Sequence, residues 1–335
     1  MKILKIVWLV IFIGLGFLPS VYGATEAEKH FRQGYEYYSQ GKYEQAIDEF
    51  KKVVEIDANH LDAHLSLGSL YYQQGKLDDA IISLQKVIEI DPNHINAHFG
   101  LGNVYYQQDK LDDAIASLQK VIEIDPNYLD GYVVLGESYR LQGKLDDATS
   151  TLQQTLEIEP DYAVAHLSLG EIYYIQGKYE QAITKLQYII DLPPDEKYES
   201  RWSTYAHGVL GHVYRQQGKL DEALVKFRQA MKTEVDPDIA PEWTNQCQGG
   251  IYHTQGKLDN AISEYQQVIK IEPKNRWGHY DLACVYSLKN EPQLAIESLQ
   301  KAIDLDKSLI ELSKTETDFD NIRQTPEFQQ LINSD

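Results

Sequence analysis

A chain of 335 residues with 43% hydrophobic side chains can bury a substantial core, and 31 basic against 51 acidic residues leave a formal charge of -20. A surface this acidic repels phosphate backbones and anionic lipid, which excludes nucleic acid as a partner. Cys247 and Cys284 are the only cysteines, so no disulfide framework holds the fold and packing has to; two buried thiols and one bridge both remain open.

From the N-terminus, residues 1–23 begin with Lys2 and Lys5, run through thirteen apolar residues from Ile6 to Leu18, and end on Pro19 and small residues near Gly23. This layout predicts a secretory signal. A bilayer-spanning helix needs roughly 20 residues, so an uncleaved membrane anchor is the weaker alternative. The expectation is an exported protein, periplasmic or secreted, that begins near Ala24 and makes no direct membrane insertion after cleavage.

Beyond this leader the chain repeats itself with a period of 34. The segment LSLGSLYYQQGKLDDAIISLQKVIEIDPNH returns as FGLGNVYYQQDKLDDAIASLQKVIEIDPNY and then as VVLGESYRLQGKLDDATSTLQQTLEIEPDY. Eight repeats begin at Ala27, Leu61, Ile95, Leu129, Ala163, Thr204, Glu242 and Arg276. A period of this length signals a stacked repeat architecture and takes precedence over local propensity.

Within each repeat two apolar stripes of spacing three and four predict two helices, the second exemplified by Leu111, Ala114, Ile115, Leu118, Val121 and Ile122. The eighth position is Gly34, Gly68, Gly102, Gly136, Gly170, Gly211, Gly249 and Ala283, and the twentieth is Ala46, Ala80, Ala114, Ala148, Ala182, Ala223, Ala261 and Ala295. Glycine costs a helix interior about 1 kcal/mol relative to alanine, so its recurrence implies helices in close contact. Position eleven is always tyrosine, from Tyr37 to Tyr286. Position fifteen is Gly, Asp or Asn, types that tolerate the left-handed backbone of a helix end. Pro92, Pro126, Pro160, Pro194 and Pro273 then stop the second helix.

With its small eighth and twentieth positions, Tyr at eleven and late Pro, the pattern resembles the tetratricopeptide repeat (TPR) family over roughly residues 27–309. The resemblance, in an exported bacterial-type member, implies an all-α, right-handed superhelix of about eight helix-turn-helix repeats, whose first helices line a concave groove. The expected organisation is a signal peptide at 1–23, repeats 1–5 at 27–196, an insert at 197–203, repeats 6–8 at 204–309 and a capping segment at 310–335. Leu309, Ile310, Leu312, Phe319, Ile322, Phe328, Leu331 and Ile332 supply the apolar face with which that segment covers the last repeat.

No catalytic grouping survives the repeat pattern: there is no glycine-rich phosphate loop, nucleophile elbow or paired CxxC, so no enzyme activity and no cofactor are expected. Asp78, Asp79, Asp112 and Asp113 stand at the start of second helices, where carboxylates complement the helix dipole. Histidine recurs at position four as His30, His64, His98, His166, His207 and His279. Helix axes about 8 to 10 Å apart cannot close a metal shell of roughly 2 Å bonds, so the reading is packing with some pH sensitivity and no metal.

The resemblance places partner recognition on the first helices. Position twelve runs Tyr38, Tyr72, Tyr106, Arg140, Tyr174, Arg215, His253 and Ser287, a ladder of aromatic and cationic groups suited to an extended peptide. Asn103 joins it, although position five lacks the lysine of the two-carboxylate clamp used by some family members. Trp243 and Trp277 replace the polar residues of earlier repeats at position two, either as an apolar anchor or as packing. The expected function is a protein–protein interaction scaffold of the cell envelope holding a protein or peptide in its groove. Self-association, or a non-catalytic accessory role in an envelope assembly or enzyme complex, is the alternative.

Overall fold

Each 34-residue repeat encodes two helix starts and two stops, and the computed structural model realises both. It describes residues 25–192, 199–232 and 240–333. The expected leader at 1–23 lies outside these residues, as do Pro194 and the first part of the 197–203 insert. All described regular structure is helical, with eighteen α-helices, a 3-10 turn and no strand among the described residues. No described helix is long and apolar enough to cross a membrane.

The chain divides into two compact units, up to Ser138 and from Tyr139 onward. The first contains α1 (Glu26–Ser39), α2 (Tyr43–Ile56), α3 (Leu61–Gln73), α4 (Leu77–Ile90), α5 (Ile95–Gln107), α6 (Leu111–Ile124) and most of α7 (Leu129–Leu141). The second contains α8 (Leu145–Ile158), α9 (Ala163–Ile175), α10 (Tyr179–Asp191), α11 (Glu199–Gln216), α12 (Leu220–Lys232), α13 (Ala240–Thr254), α14 (Leu258–Ile271), α15 (Arg276–Leu288) and α16 (Pro292–Leu305). It ends with α17 (Leu309–Thr315), the 3-10 turn Thr317–Phe319 and α18 (Pro326–Ile332). By compactness the division therefore falls within the fourth repeat, whereas the repeat spacing places its irregularity at 197–203.

Inside each unit consecutive helices pair and the pairs stack, with α3 on α5 in the first unit and α9 on α11 and α11 on α13 in the second. The tight crossing lies between the glycine at position eight and the large side chain at position twenty-four. A Cβ added to Gly102 would stand 2.7 Å from Leu118 Cγ, one on Gly170 2.7 Å from Leu186 Cγ, and one on Gly211 2.6 Å from Phe227 Cε1. The alanines at position twenty are all fully buried, so no larger side chain has room there either. Position fifteen takes the left-handed backbone whatever its residue, at φ 72° for Gly75, 61° for Asp109 and 57° for Asn290. That conformation turns the chain from first helix to second.

At five of the junctions a recurring polar residue joins a repeat to the one before it. His64, His98, His166 and His279 each set Nε2 at 2.8 to 3.0 Å from the carbonyl of position thirty-two in the preceding repeat, and Tyr132 donates its hydroxyl to Pro126 in the same manner. His60 and His94 are N-caps whose Nδ1 accepts from the amides of Ala63 and Ala97 at 3.3 Å. The histidine pairs thus divide between capping a helix and clipping a loop. Asp78, besides standing at a helix start, accepts from Gln108 at 2.9 Å, as Glu44 does from Gln74.

Candidate functional site: the inner face of the first helices

In the first unit, Tyr38, Tyr72 and Tyr106 lie at position twelve, each partly exposed. The Tyr38 ring lies 6.4 Å from Tyr35 and 5.7 Å from Tyr43, forming an aromatic cluster at the first repeat. Burial pushes the Tyr72 phenol up to about 12, so it stays neutral and can donate a hydrogen bond. Asn103 is 1% exposed; its amide donates to the Phe99 carbonyl at 2.9 Å, and its own carbonyl has no partner. Phe99, Asn103 and Tyr106 follow helical spacing and share one face of α5.

In the second unit the same helix positions meet the chain's own C-terminal residues. α17 packs on α9, and the 3-10 turn packs on α15. Arg140 is fully buried; its guanidinium donates to Asp306 and approaches Ser308 Oγ at 3.4 Å. The Lys307 amide donates to the Leu141 carbonyl at 3.2 Å. Arg276 places Nε 2.9 Å from Asp306 and Nη2 2.9 Å from Glu171, which also accepts from the Trp277 indole at 3.3 Å.

Further along, Arg215 donates to Asp318, which also lies 3.1 Å from His253 Nε2; Gln216 donates to Glu316; and Asn321 donates to the Ser287 carbonyl at 3.3 Å. Phe319 stands edge-on to Tyr280 with centroids 5.6 Å apart and touches Phe328 at 5.4 Å. The capping expected of this segment is met where α17 and α18 pack on α16, but residues 306–321 also run along the first helices. Tying α15 and α16 back to Tyr139–Leu141 in this way draws the last repeats into one compact unit.

Three carboxylates share the Arg215 guanidinium: Asp318, Glu316, and Asp281 at 3.8 Å. Burial lifts Glu316 and Asp281 each to about 7, against the pull of Arg215. Burial also works to raise Asp318, but Arg215 and His253 together outweigh it and hold that carboxyl below its ordinary range. His212 and His253 are pushed down, first by burial and then by Arg215. Cys284, Glu316 and Asp318 bring possible metal-ligating atoms within 4.8 Å of one another, yet the Arg215 guanidinium bonded to Asp318 supplies the compensating charge there. Both cysteines are free and buried, and burial raises each thiol, which leaves them inert.

The two tryptophans serve different ends. Trp243 packs into the second unit's core: a Cβ on Gly208 would lie 2.3 Å from its ring, and Tyr205 sits 4.5 Å away. Trp277 lies beside the segment, 5.9 Å from Tyr174 and 6.4 Å from His212, with Tyr174 itself 2% exposed. The spacing of the repeat brings out Arg140, Tyr174, Arg215 and Trp277 as one cluster but misses their partners Asp306, Glu316 and Asp318. Paired arginines at position twelve of an acidic chain are the signal that points to carboxylates.

Family profiles for the TPR repeat match residues 34–75, 68–109, 136–174 and 249–290, and profiles for the tetratricopeptide repeat match 95–128, 206–240 and 278–309. Comparison with curated proteins gives no match. Among solved structures, a tetratricopeptide repeat protein from Parabacteroides merdae ATCC 43184 superposes with a TM-score of 0.64 at 15% identity, covering 82% of this chain and 100% of its own. Cut9, from the APC/C hetero-tetramer Cut9-Hcn1, gives 0.52 at 19% identity over 89% of this chain and 57% of its own. MamA gives 0.44 at 25% identity over 63% of this chain and 97% of its own. With matches that recur through both units, and with helix pairs whose glycines, turns and inter-repeat clips follow one pattern, the chain belongs to the tetratricopeptide repeat family.

Proposed function

We propose that this protein is a non-catalytic adaptor of the cell envelope, which holds an extended segment of a partner protein on the first helices of its first unit. Tetratricopeptide repeats typically serve as protein–protein interaction modules. The observation that supports the reading is the course of residues 306–321, which in the second unit bond to Arg140, Arg215 and Ser287 at position twelve. In the first unit the equivalent positions are the partly exposed Tyr38, Tyr72 and Tyr106, with the unpartnered carbonyl of Asn103 on the same helix face as Tyr106. Tyrosines give broad contact at low entropic cost, and a buried acceptor without a donor favours a partner that brings an N–H. The leader at 1–23 supports the envelope setting.

Affinity capture from an envelope fraction tests this. The full chain should retain a discrete partner that Tyr72→Ala with Tyr106→Ala loses, while the melting temperature moves by only a few degrees. Capture that is indifferent to both substitutions rejects the site. Mass that grows with concentration in light scattering favours self-association instead.

A further inference from the structure

The groove of the second unit shows its own chemistry through what fills it. Arg140 and Arg276 converge on Asp306, Arg215 and His253 on Asp318, and Gln216 on Glu316, with Phe319 closing the run against Tyr280. These contacts come from side chains of four first helices and read the carboxylates that flank one short helix and its following turn. They select a sequence more than they stabilise a core, because removing paired charges from water offsets most of their attraction. The charge count is also unbalanced: Asp281 and Glu316 share a guanidinium already bonded to Asp318, and burial lifts both carboxyls to about 7. The Arg215 Nε and Nη2 have no hydrogen-bond acceptor although both are buried.

We propose that this groove is a recognition site for acidic segments that fold as a short helix and turn ending in an aromatic residue, and that residues 306–319 are its resident and displaceable occupant. A segment of another protein with carboxylates at the same intervals takes Arg140, Arg215 and Arg276 when the resident leaves. The proposal rests on the protein-binding reading above but concerns a different surface, so the two fail separately.

The probe is a fluorescein-labelled synthetic peptide of residues 304–322, added to the full chain and to the full chain carrying Glu316→Lys and Asp318→Lys, in which the resident is repelled by Arg215. Anisotropy should show at least tenfold tighter binding to the double variant than to the unaltered chain. Adding Arg276→Gln should reduce that binding, and a peptide with Asp306→Asn, Glu316→Gln and Asp318→Asn should not bind. Tyr72→Ala should leave the titration unchanged, which separates this result from failure of the first-unit site. In the unaltered chain, amides of 309–319 should exchange with solvent at least tenfold faster than those of α15. A folded double variant that ignores the peptide, a double variant that cannot fold, or a segment that exchanges only together with α15 overturns the proposal, because each makes residues 306–319 an inseparable part of the core.

Discussion

At position twelve the first unit carries Tyr38, Tyr72 and Tyr106, all partly exposed, whereas the second carries Arg140, Tyr174, Arg215, His253 and Ser287, all buried, with Arg140, Arg215, His253 and Ser287 bonded to residues 306–321. The scaffolds behind these faces are alike: Gly102 meets Leu118 as Gly170 meets Leu186, and position fifteen turns left-handed in both. A repeat therefore fixes how helices stack and leaves the inner-face positions free to be assigned afresh. In one unit they are neutral and aromatic; in the other two of them are arginines answered by carboxylates of the chain itself.

The sharpest way to break this comparison is to truncate the same position in each unit. Arg140→Ala leaves the buried Asp306 with Arg276 as its remaining ion-pair partner, and should cost the second unit about 3 to 5 kcal/mol in urea unfolding. Tyr106→Ala should cost the first unit only about 1 kcal/mol. Equal losses would mean that both faces are structural.

Titration gives a second contrast. Glu316 is raised from its ordinary 4.5 to about 7, so the folded state keeps a proton that the unfolded chain releases. Its contribution is complete below pH 4.5 and is lost as pH rises through about 7. Glu316→Gln keeps the group neutral at every pH. The variant should match the unaltered chain near pH 4 and gain on the order of 2 kcal/mol relative to it at pH 8. Taking this difference cancels the opposite trend of His212 and His253, whose lowered values withdraw stability as pH falls below 6.5.

Smaller effects should be shared by the two units. Gly102→Ala and Gly170→Ala meet leucine side chains at the same 2.7 Å and should each cost about 1 to 3 kcal/mol, measured by thermal unfolding. Least of all, Gln108→Ala, which cuts the exposed link to Asp78, should cost under about 1 kcal/mol. An unequal pair of glycine effects would show that the units differ in their stacking as well as in their faces.

The stacking was legible in the sequence because it is periodic: a glycine that recurs at one position reports a constraint imposed at every repeat. Its partner was less evident. The alanine at position twenty is as regular as the glycine, yet the atoms that exclude a Cβ belong to position twenty-four, where Phe50, Leu84, Leu118 and Leu186 are large in every case. The fate of Arg140 was hidden for a different reason. Asp306 lies 166 residues away and outside any repeat, so no spacing rule connects them. Only charge complementarity could, since arginine enters position twelve where tyrosine stood and the residues after the last repeat are rich in acid. The tryptophans illustrate the same limit, because Trp243 is placed by Gly208, a departure from the pattern rather than part of it.

The bond between Arg140 and Asp306 also bears on the order in which the protein matures. Stacked repeats ordinarily rely on neighbours in sequence and can consolidate as they emerge. Here the first unit is of that kind, but the second is completed by residues far along the sequence, with Asp306 lying 166 positions from Arg140. Its arginines stay without their carboxylates until residues 306–321 have been made, so removing that short segment should be far more damaging than its length suggests.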